Sequence, residues 1–192
     1  MTAHLRPAVF LDRDGTLNVE RHYLHRVEDF AWIPGAPEAV RRLNEAGFVV
    51  MVVTNQAGVA RGLYDEAAIA TLHAHMQADL ARVGARVDAF YYSPFHPEGI
   101  VEAYRRASEC RKPGALLFKR AVAEHGLDAA RSFAVGDRAS DLFPAQSLGC
   151  RTILVETGYG REEAAHAPAD AVMPDIGAAV DWILAQPVRQ GR

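Results

Sequence analysis

The side chains with the clearest chemical potential are Asp12, Asp14, Thr54, Lys112 and Asp137. An aspartate has an unperturbed pKa of about 3.9, so at neutral pH it is an anionic nucleophile without a helper base. Asp12 leaves a short apolar run, Ala8-Val9-Phe10-Leu11, and Asp14 stands two residues on. In extended backbone positions i and i+2 share a face, so both carboxylates can address one substrate. A sugar or alkyl phosphate has a poor alkoxide leaving group and needs a proton donor. Asp14 can give that proton and then activate a water to hydrolyse a phosphorylated Asp12. Gly15 permits a sharp turn, and Thr16 can hydrogen-bond the loop or the first aspartate.

Charge sets the remaining requirements. A carboxylate approaching a phosphate of about −1.5 to −2 is repelled. Each unit pair at about 4 Å costs about 4 kcal/mol at an effective dielectric of about 20, so fixed cations must cancel several kcal/mol. Asp12 with Asp137 offers hard oxygen ligands for Mg²⁺, which favours one or two carboxylates with phosphate and water. Lys112, in Cys110-Arg111-Lys112-Pro113, supplies a second positive charge. Thr54 and the backbone N–H groups near Asn55 can cradle phosphoryl oxygens. Asp141, four residues after Asp137, is expected to orient Lys112 or a metal-bound water. Taken singly, these residues have plainer readings: an Asp-x-Asp turn, a strand-capping threonine, a solvated lysine. Their joint placement at the ends of apolar runs argues for one site.

Those runs are the elements that must position the site. Ala8–Leu11, Phe48–Val53, Phe133–Val135 and Thr152–Val155 lack polar alternation, as strands covered on both faces should. A fifth, Val87–Tyr92, is aromatic and mixed. Helical patterns lie between them. Ala36 to Ala46 stops at Gly47. A longer one is capped by Asp65 and runs through Ile69, Leu72, Met76 and Leu80. Leu116 to His125 ends at Gly126, Ser140 to Leu148 ends at Gly149, and Ile176 to Leu184 follows. Strands alternating with helices predict an α/β, doubly wound, mainly parallel sheet between helices. In such sheets ligands sit outside the carboxyl ends of the strands, where Asp12, Thr54 and Asp137 all fall.

At 192 residues the chain is read as one domain, 1–192, with a polar tail frayed from about residue 186. It is 49% hydrophobic and 23% charged, an ordinary globular composition that excludes disorder, collagen and coiled coil. The formal charge of −3 shows no basic bias toward nucleic acid or a membrane surface. The longest apolar stretch, Phe48 to Val53, is far short of the roughly 18 residues of a membrane span. No apolar segment follows His4 and Arg6 to make a signal peptide, and two cysteines make no disulfide framework. A cytoplasmic location follows by default. A monomer is expected because no long apolar surface stripe is left over. Gly158-x-Gly160-x-x-Glu163 lacks a third glycine and comes late in the chain, so it reads as a loop rather than a dinucleotide site. The histidines show no metal spacing: His73 and His75 are two apart on a helix and cannot share a face. Cys150 begins a strand and is expected in the core.

The segments Asp12-Arg13-Asp14-Gly15-Thr16, Thr54-Asn55, Lys112 and Gly136-Asp137-Arg138-Ala139-Ser140-Asp141 resemble the four signature segments of the haloacid-dehalogenase superfamily of Mg²⁺-dependent phosphatases. The resemblance implies a capless Rossmann-like fold with Asp12 as nucleophile, Asp14 as acid/base, and Thr54 and Lys112 on the phosphate. Mg²⁺ would be held by Asp12, Asp137 and the backbone carbonyl of Asp14. Finer features are Phe10 to Asn18, Val53 to Gly62, Tyr91-Tyr92 and Cys110 to Pro113. They resemble the small D,D-heptose 1,7-bisphosphate phosphatases and the related histidinol-phosphate phosphatases, over about residues 8 to 160. That likeness implies a small phosphorylated sugar as substrate, with Glu20, Arg21, His22, Tyr23, Asn55, Gln56, Arg61, Arg111 and Arg138 around it. A second phosphate accounts for the arginines beyond the catalytic lysine.

One departure concerns metal. The family often carries a zinc loop, Cys-x-His followed by Cys-x-Cys. Here Ser93, Phe95 and Ser108 stand at three ligand positions and only Cys110 remains. His96 is adjacent, but a closed structural site needs four ligands. Zinc is not expected, and packing of Phe95, Pro97 and Tyr104 is expected to hold the loop instead. The leading expectation is a heptose bisphosphate 7-phosphatase serving nucleotide-activated heptose synthesis for lipopolysaccharide or surface glycan. The alternatives are a histidinol-phosphate phosphatase, another small phosphomonoesterase, or a non-catalytic phosphosugar-binding module.

Overall fold

A computed structural model describes residues 5–187. Its frame is a six-stranded parallel sheet: β1 (Ala8–Leu11), β2 (Val49–Asn55), β3 (Ala89–Ser93), β4 (Phe133–Gly136), β5 (Arg151–Val155) and β6 (Ala171–Met173). The spatial order is β3-β2-β1-β4-β5-β6, and every pairing is parallel. The helices are α1 (Ala36–Glu45), α2 (Glu66–Arg82), α3 (Leu116–His125), α4 (Ala139–Gln146), the one-turn α5 (Gly160–Glu163) and α6 (Ile176–Leu184).

The uninterrupted apolar runs are explained by burial on both sheet faces. Along β1, Val9 and Leu11 point into one core with α1, α2 and α6, while Ala8 and Phe10 point into the other with α3 and α4. Asp65 caps α2 by accepting from the Ala68 N–H at 2.9 Å. Cys150 is buried in the second core, immediately before β5.

Some elements differ from the sequence pattern. The third strand begins at Ala89, because Asp88 turns its carboxylate onto the Val50 N–H at 2.8 Å and Val87 packs as loop. The edge strand β6 escapes a hydrophobicity scan because it is three residues long and only partly buried. Gly160–Glu163 is a helical turn where a loop was expected. Of the tail expected to fray, 188–192 lies outside the described residues. No helix among the described residues is long and apolar enough to cross a membrane.

The strand order reverses between β1 and β4. That switch point opens a crevice at the carboxyl ends of the two strands, and Asp12 and Asp137 are the residues that follow them.

Candidate active site

Register places the first two acids. Leu11 pairs with Val135 across the sheet, and the Asp12 N–H donates to the Val135 carbonyl at 2.9 Å. Asp12 therefore stands beside the start of the β4 loop. Coordinating oxygens of Asp12, Asp137 and Asp141 lie within 4.8 Å of one another, although the three residues span 130 positions of sequence. Lys112 closes this cluster. Its Nζ donates to Asp12 Oδ1 at 2.6 Å and to the Val53 carbonyl at 2.7 Å, and lies 2.7 Å from Asp141 Oδ1. The lysine backbone is fixed independently: its N–H donates to Asn55 Oδ1, and Asn55 Nδ2 returns a bond to its carbonyl. Asp141, expected to orient Lys112 or a metal-bound water, is placed in contact with the lysine.

Three carboxylates crowd together with one ammonium that reaches only Asp12 and Asp141, and the electrostatics follow. Burial pushes Asp12 up to about 7, against the pull of Lys112, with Asp141 and Asp14 adding to the rise. Burial, then Asp12 and Asp141, push Asp137 up to about 8, although the Tyr159 N–H donates to its Oδ2 at 2.9 Å. Burial works to lower Lys112, but Asp12 and Asp141 outweigh it and hold the lysine above its ordinary value. Burial and the neighbouring acids thus work against the charged form of Asp12 that a nucleophile needs. The cluster needs more positive charge than Lys112 provides. Asp137 Oδ1 is buried and has no hydrogen-bond partner among the described residues. A hard, acceptor-only donor set with an orphaned oxygen is what a divalent cation requires.

Asp14 is held apart from this cluster. Arg13, fully buried, donates from Nε and Nη2 to its Oδ2 at 3.1 and 2.8 Å, and from Nη2 to Oδ1 at 3.0 Å. Gln56 Nε2 donates to Oδ2 at 2.9 Å and Asn18 Nδ2 to Oδ1 at 3.0 Å. His73 lies behind Arg13, with Nε2 3.3 Å from Nη1. Burial and Arg13 push its pKa down to about 3, so the ring is neutral and accepts from the guanidinium. Sequence reasoning gave Arg13 no task of its own; its grip on Asp14 depends on a buried geometry invisible in a motif. Thr16 differs from expectation: its Oγ1 is buried without a partner among the described residues. Backbone bonds from Leu17 and Asn18 to the Arg13 carbonyl close the turn, and the Asn18 side chain takes the aspartate.

The loop after β5 completes the floor. Thr157 Oγ1 donates to the Gly15 carbonyl at 2.6 Å. Gly15 and Gly158 both have positive φ, and a Cβ at either would come within 2.2 Å of Asp137 Oδ2. Both glycines are therefore required by the close approach of that carboxylate. Thr157 and Tyr159 were missed from sequence. The available signal was a Thr-Gly-Tyr-Gly segment following a buried strand at the same sheet edge.

Above the acids opens a cavity of about 520 Å³. It brings together Asp12, Asp14, Glu20, His22, Tyr23, Thr54, Asn55, Gln56, Arg61, Arg111, Lys112, Asp137, Arg138 and Asp141. Arg21 is not among the lining residues and is exposed. Tyr64, His96, Ser140 and Tyr159 also line it. Tyr64 donates its hydroxyl to Gln56 Oε1 at 2.8 Å, which leaves the Gln56 amide nitrogen free to serve Asp14 and Thr54. The Arg138 guanidinium lies 3.6 Å over the Tyr159 ring. Arg61 Nε and Arg111 Nη1 are buried donors without a partner among the described residues. Burial and Arg61 lower the Arg111 pKa.

The 94–113 loop carries His96, Arg111 and Lys112. Phe95 and Tyr104 have ring centroids 6.1 Å apart, with Arg106 stacked 4.0 Å over Phe95. Pro97, expected to help, is exposed.

A parallel sheet with acids at its switch point and a lysine reaching across is the arrangement of a HAD-like hydrolase, and the family model described as HAD-hydrolase-like matches residues 109–179. A D-glycero-D-manno-heptose-1,7-bisphosphate 7-phosphatase of Thermosynechococcus vestitus is 44% identical over 187 residues, covering 93% of this chain and 95% of its own. The D-glycero-beta-D-manno-heptose-1,7-bisphosphate 7-phosphatase of Escherichia coli K12 is 40% identical, over 93% and 88%. The crystal structure of D,D-heptose 1,7-bisphosphate phosphatase from B. bronchiseptica, complexed with magnesium and phosphate, superposes with a TM-score of 0.83 at 32% identity, over 93% and 98%. The chain belongs to the D-glycero-D-manno-heptose-1,7-bisphosphate 7-phosphatase family.

Proposed function

We propose that this protein removes the 7-phosphate of D-glycero-D-manno-heptose 1,7-bisphosphate through an aspartyl-phosphate on Asp12. The observation that carries the substrate reading is a second cationic group on the cavity that holds the acids. Arg61 and Arg111 each keep a buried guanidinium nitrogen unpartnered, at an energetic cost that an anion would relieve. One phosphate would be engaged by Asp12, Lys112 and Thr54, leaving Arg111 and the Nε side of Arg61, whose Nη2 lies 3.6 Å from Glu98 Oε2, for another.

Asp12 Oδ attacks the phosphorus, and the bond from phosphorus to the sugar oxygen breaks. Asp14, oriented by Arg13, Gln56 and Asn18, gives its proton to that departing oxygen. Asp14 then takes a proton from water, whose oxygen attacks the aspartyl-phosphate and frees inorganic phosphate with Asp12 restored. Mg²⁺ would be held by Asp12 and Asp137 with the Asp14 main-chain carbonyl, and would supply the positive charge that the acid cluster lacks. Lys112 neutralises Asp12 and Asp141 in the free enzyme and turns toward phosphoryl oxygens when substrate enters. The same reading makes the protein a cytoplasmic monomer of one domain, supplying heptose for nucleotide activation.

The test is a kinetic comparison of the heptose bisphosphate with histidinol phosphate and other monophosphates, together with Asp12→Asn. The parent enzyme is expected to release one phosphate and to favour the bisphosphate in kcat/KM, and Asp12→Asn to lose single-turnover phosphate release. Turnover near the parent rate in that variant overturns the nucleophile, and preference for a monophosphate overturns the substrate.

A further inference from the structure

The 94–113 loop brings His96 and Arg111 to the cavity, yet its only regular structure is the short helical turn Glu102–Tyr104. One side chain outside the loop ties its middle to the strand it departs from. Glu66, the first residue of α2, accepts from the Tyr92 hydroxyl on Oε2 at 2.5 Å and from the Tyr104 hydroxyl on Oε1 at 2.6 Å. Tyr92 lies on β3 just before the loop departs, and Tyr104 lies midway along it. Both carboxylate oxygens are used, and charge-assisted bonds of this length are among the stronger ones. Burial and Glu66 push Tyr92 up to about 12, so its hydroxyl keeps the proton it donates.

We infer that Glu66 is a positioning residue for substrate recognition, clasping Tyr92 and Tyr104 so that the loop presents its basic groups to the second phosphate. The path is short. The Tyr104 carbonyl accepts from the His96 N–H at 3.2 Å, and His96 is near enough to Arg111 and Arg61 that they, after burial, lower its pKa. The Ala60 carbonyl, beside Arg61, accepts from the Ile100 and Val101 N–H groups at 2.8 and 3.0 Å. The clasp and these bonds together hold the 96–104 stretch of the loop, His96 included, against the segment that carries Arg61. Lys112 does not depend on the clasp, because Asn55 holds that residue's backbone from β2. Loosening the clasp is thus expected to disturb recognition and spare chemistry.

The inference rests on the bisphosphate reading, so the experiment pairs two substrates with a measurement that needs neither. In Glu66→Ala the KM for the heptose bisphosphate is expected to rise about tenfold with kcat within about twofold, and the KM for p-nitrophenyl phosphate to stay at the parent value. Glu66→Gln, whose amide can still meet both hydroxyls, is expected to fall between. Hydrogen exchange across 94–111 is expected to quicken in Glu66→Ala. Tyr104→Phe deletes one hydroxyl only and repeats the test should Glu66→Ala fold poorly. A parallel rise in both KM values, or unchanged exchange, overturns the positioning role. If the parent enzyme itself shows no preference for the bisphosphate, the substrate reading fails on that result alone. Exchange then judges the clasp: faster exchange supports it and unchanged exchange overturns it.

Discussion

Removing one acid from the cluster should stabilise the metal-free protein, and Asp137→Asn is the substitution that shows it. Coordinating oxygens of Asp12, Asp137 and Asp141 lie within 4.8 Å of each other. A unit pair at that separation costs about 3.5 kcal/mol at an effective dielectric of about 20. Asp137 faces two such neighbours, and Lys112 already lies 2.6 and 2.7 Å from those two rather than from Asp137. With that screening and the Tyr159 N–H set against the repulsion, the net gain at about pH 8 is on the order of 3 kcal/mol. The sign with pH follows from the raised values of about 7 and about 8 for Asp12 and Asp137. A group raised on folding holds its proton more tightly in the folded state. Its contribution is full below about pH 4 and is lost as pH climbs through the folded value. Metal-free parent protein should therefore lose stability from about pH 4 to pH 8, more than Asp137→Asn, and the two should converge near pH 4. Thermal unfolding in EDTA reads this directly: about 2–4 °C per kcal/mol for a chain of this size gives a gain of roughly 6–12 °C near pH 8. Mg²⁺ at a hundredfold excess over its dissociation constant adds about 2.7 kcal/mol to a protein that binds it. That increment should grow with pH in the parent and largely vanish in the variant. An Asp137→Asn protein less stable than its parent in EDTA near pH 8 refutes the repulsion argument. A Mg²⁺ shift that survives in the variant refutes the assignment of the metal to this cluster.

Two further outcomes follow from the cations. Lys112 is almost wholly buried and contacts Asp12, Asp141 and the Val53 carbonyl. Lys112→Met should cost about 3–5 kcal/mol in chemical denaturation near pH 7, because it leaves buried carboxylates unpaired, and should abolish turnover; denaturation within 1 kcal/mol of the parent, about a factor of five in the unfolding equilibrium, contradicts it. Arg111→Ala should raise the KM for the bisphosphate by about 10–100-fold, the worth of a hydrogen bond to a charged group, while monophosphate kinetics change little; an equal effect on both substrates argues against a second-phosphate role.

Much of the site was legible because each acid stands next to a strand whose burial is written in consecutive apolar residues. Leu11 before Asp12 and Val135 before Gly136-Asp137 mark the same sheet edge. The 3.6-residue pattern of α2 and the cap at Asp65 were equally local. Other features leave no local trace. β6 contributes three residues to the edge, Val172 exposed and its two neighbours partly buried, and shows no run to detect. Arg21 belongs to a pocket-lining segment, yet the backbone carries it outward while Glu20, His22 and Tyr23 face the cavity. His22 and Tyr23 adopt positive φ there, which no residue preference announces.

The sequence by itself determined the chemical inventory and the alternation of strand and helix, since residue type and short-range periodicity act over a few positions. Tertiary structure alone decided which charges are neighbours. Parallel pairing across crossovers sets Asp12 beside Asp137 and draws Lys112 over both Asp12 and Asp141. Burial then turns an ordinary aspartate into one raised to about 7. Both depend on contacts a hundred residues apart and on the exclusion of water, and neither quantity is a property of a local stretch of chain.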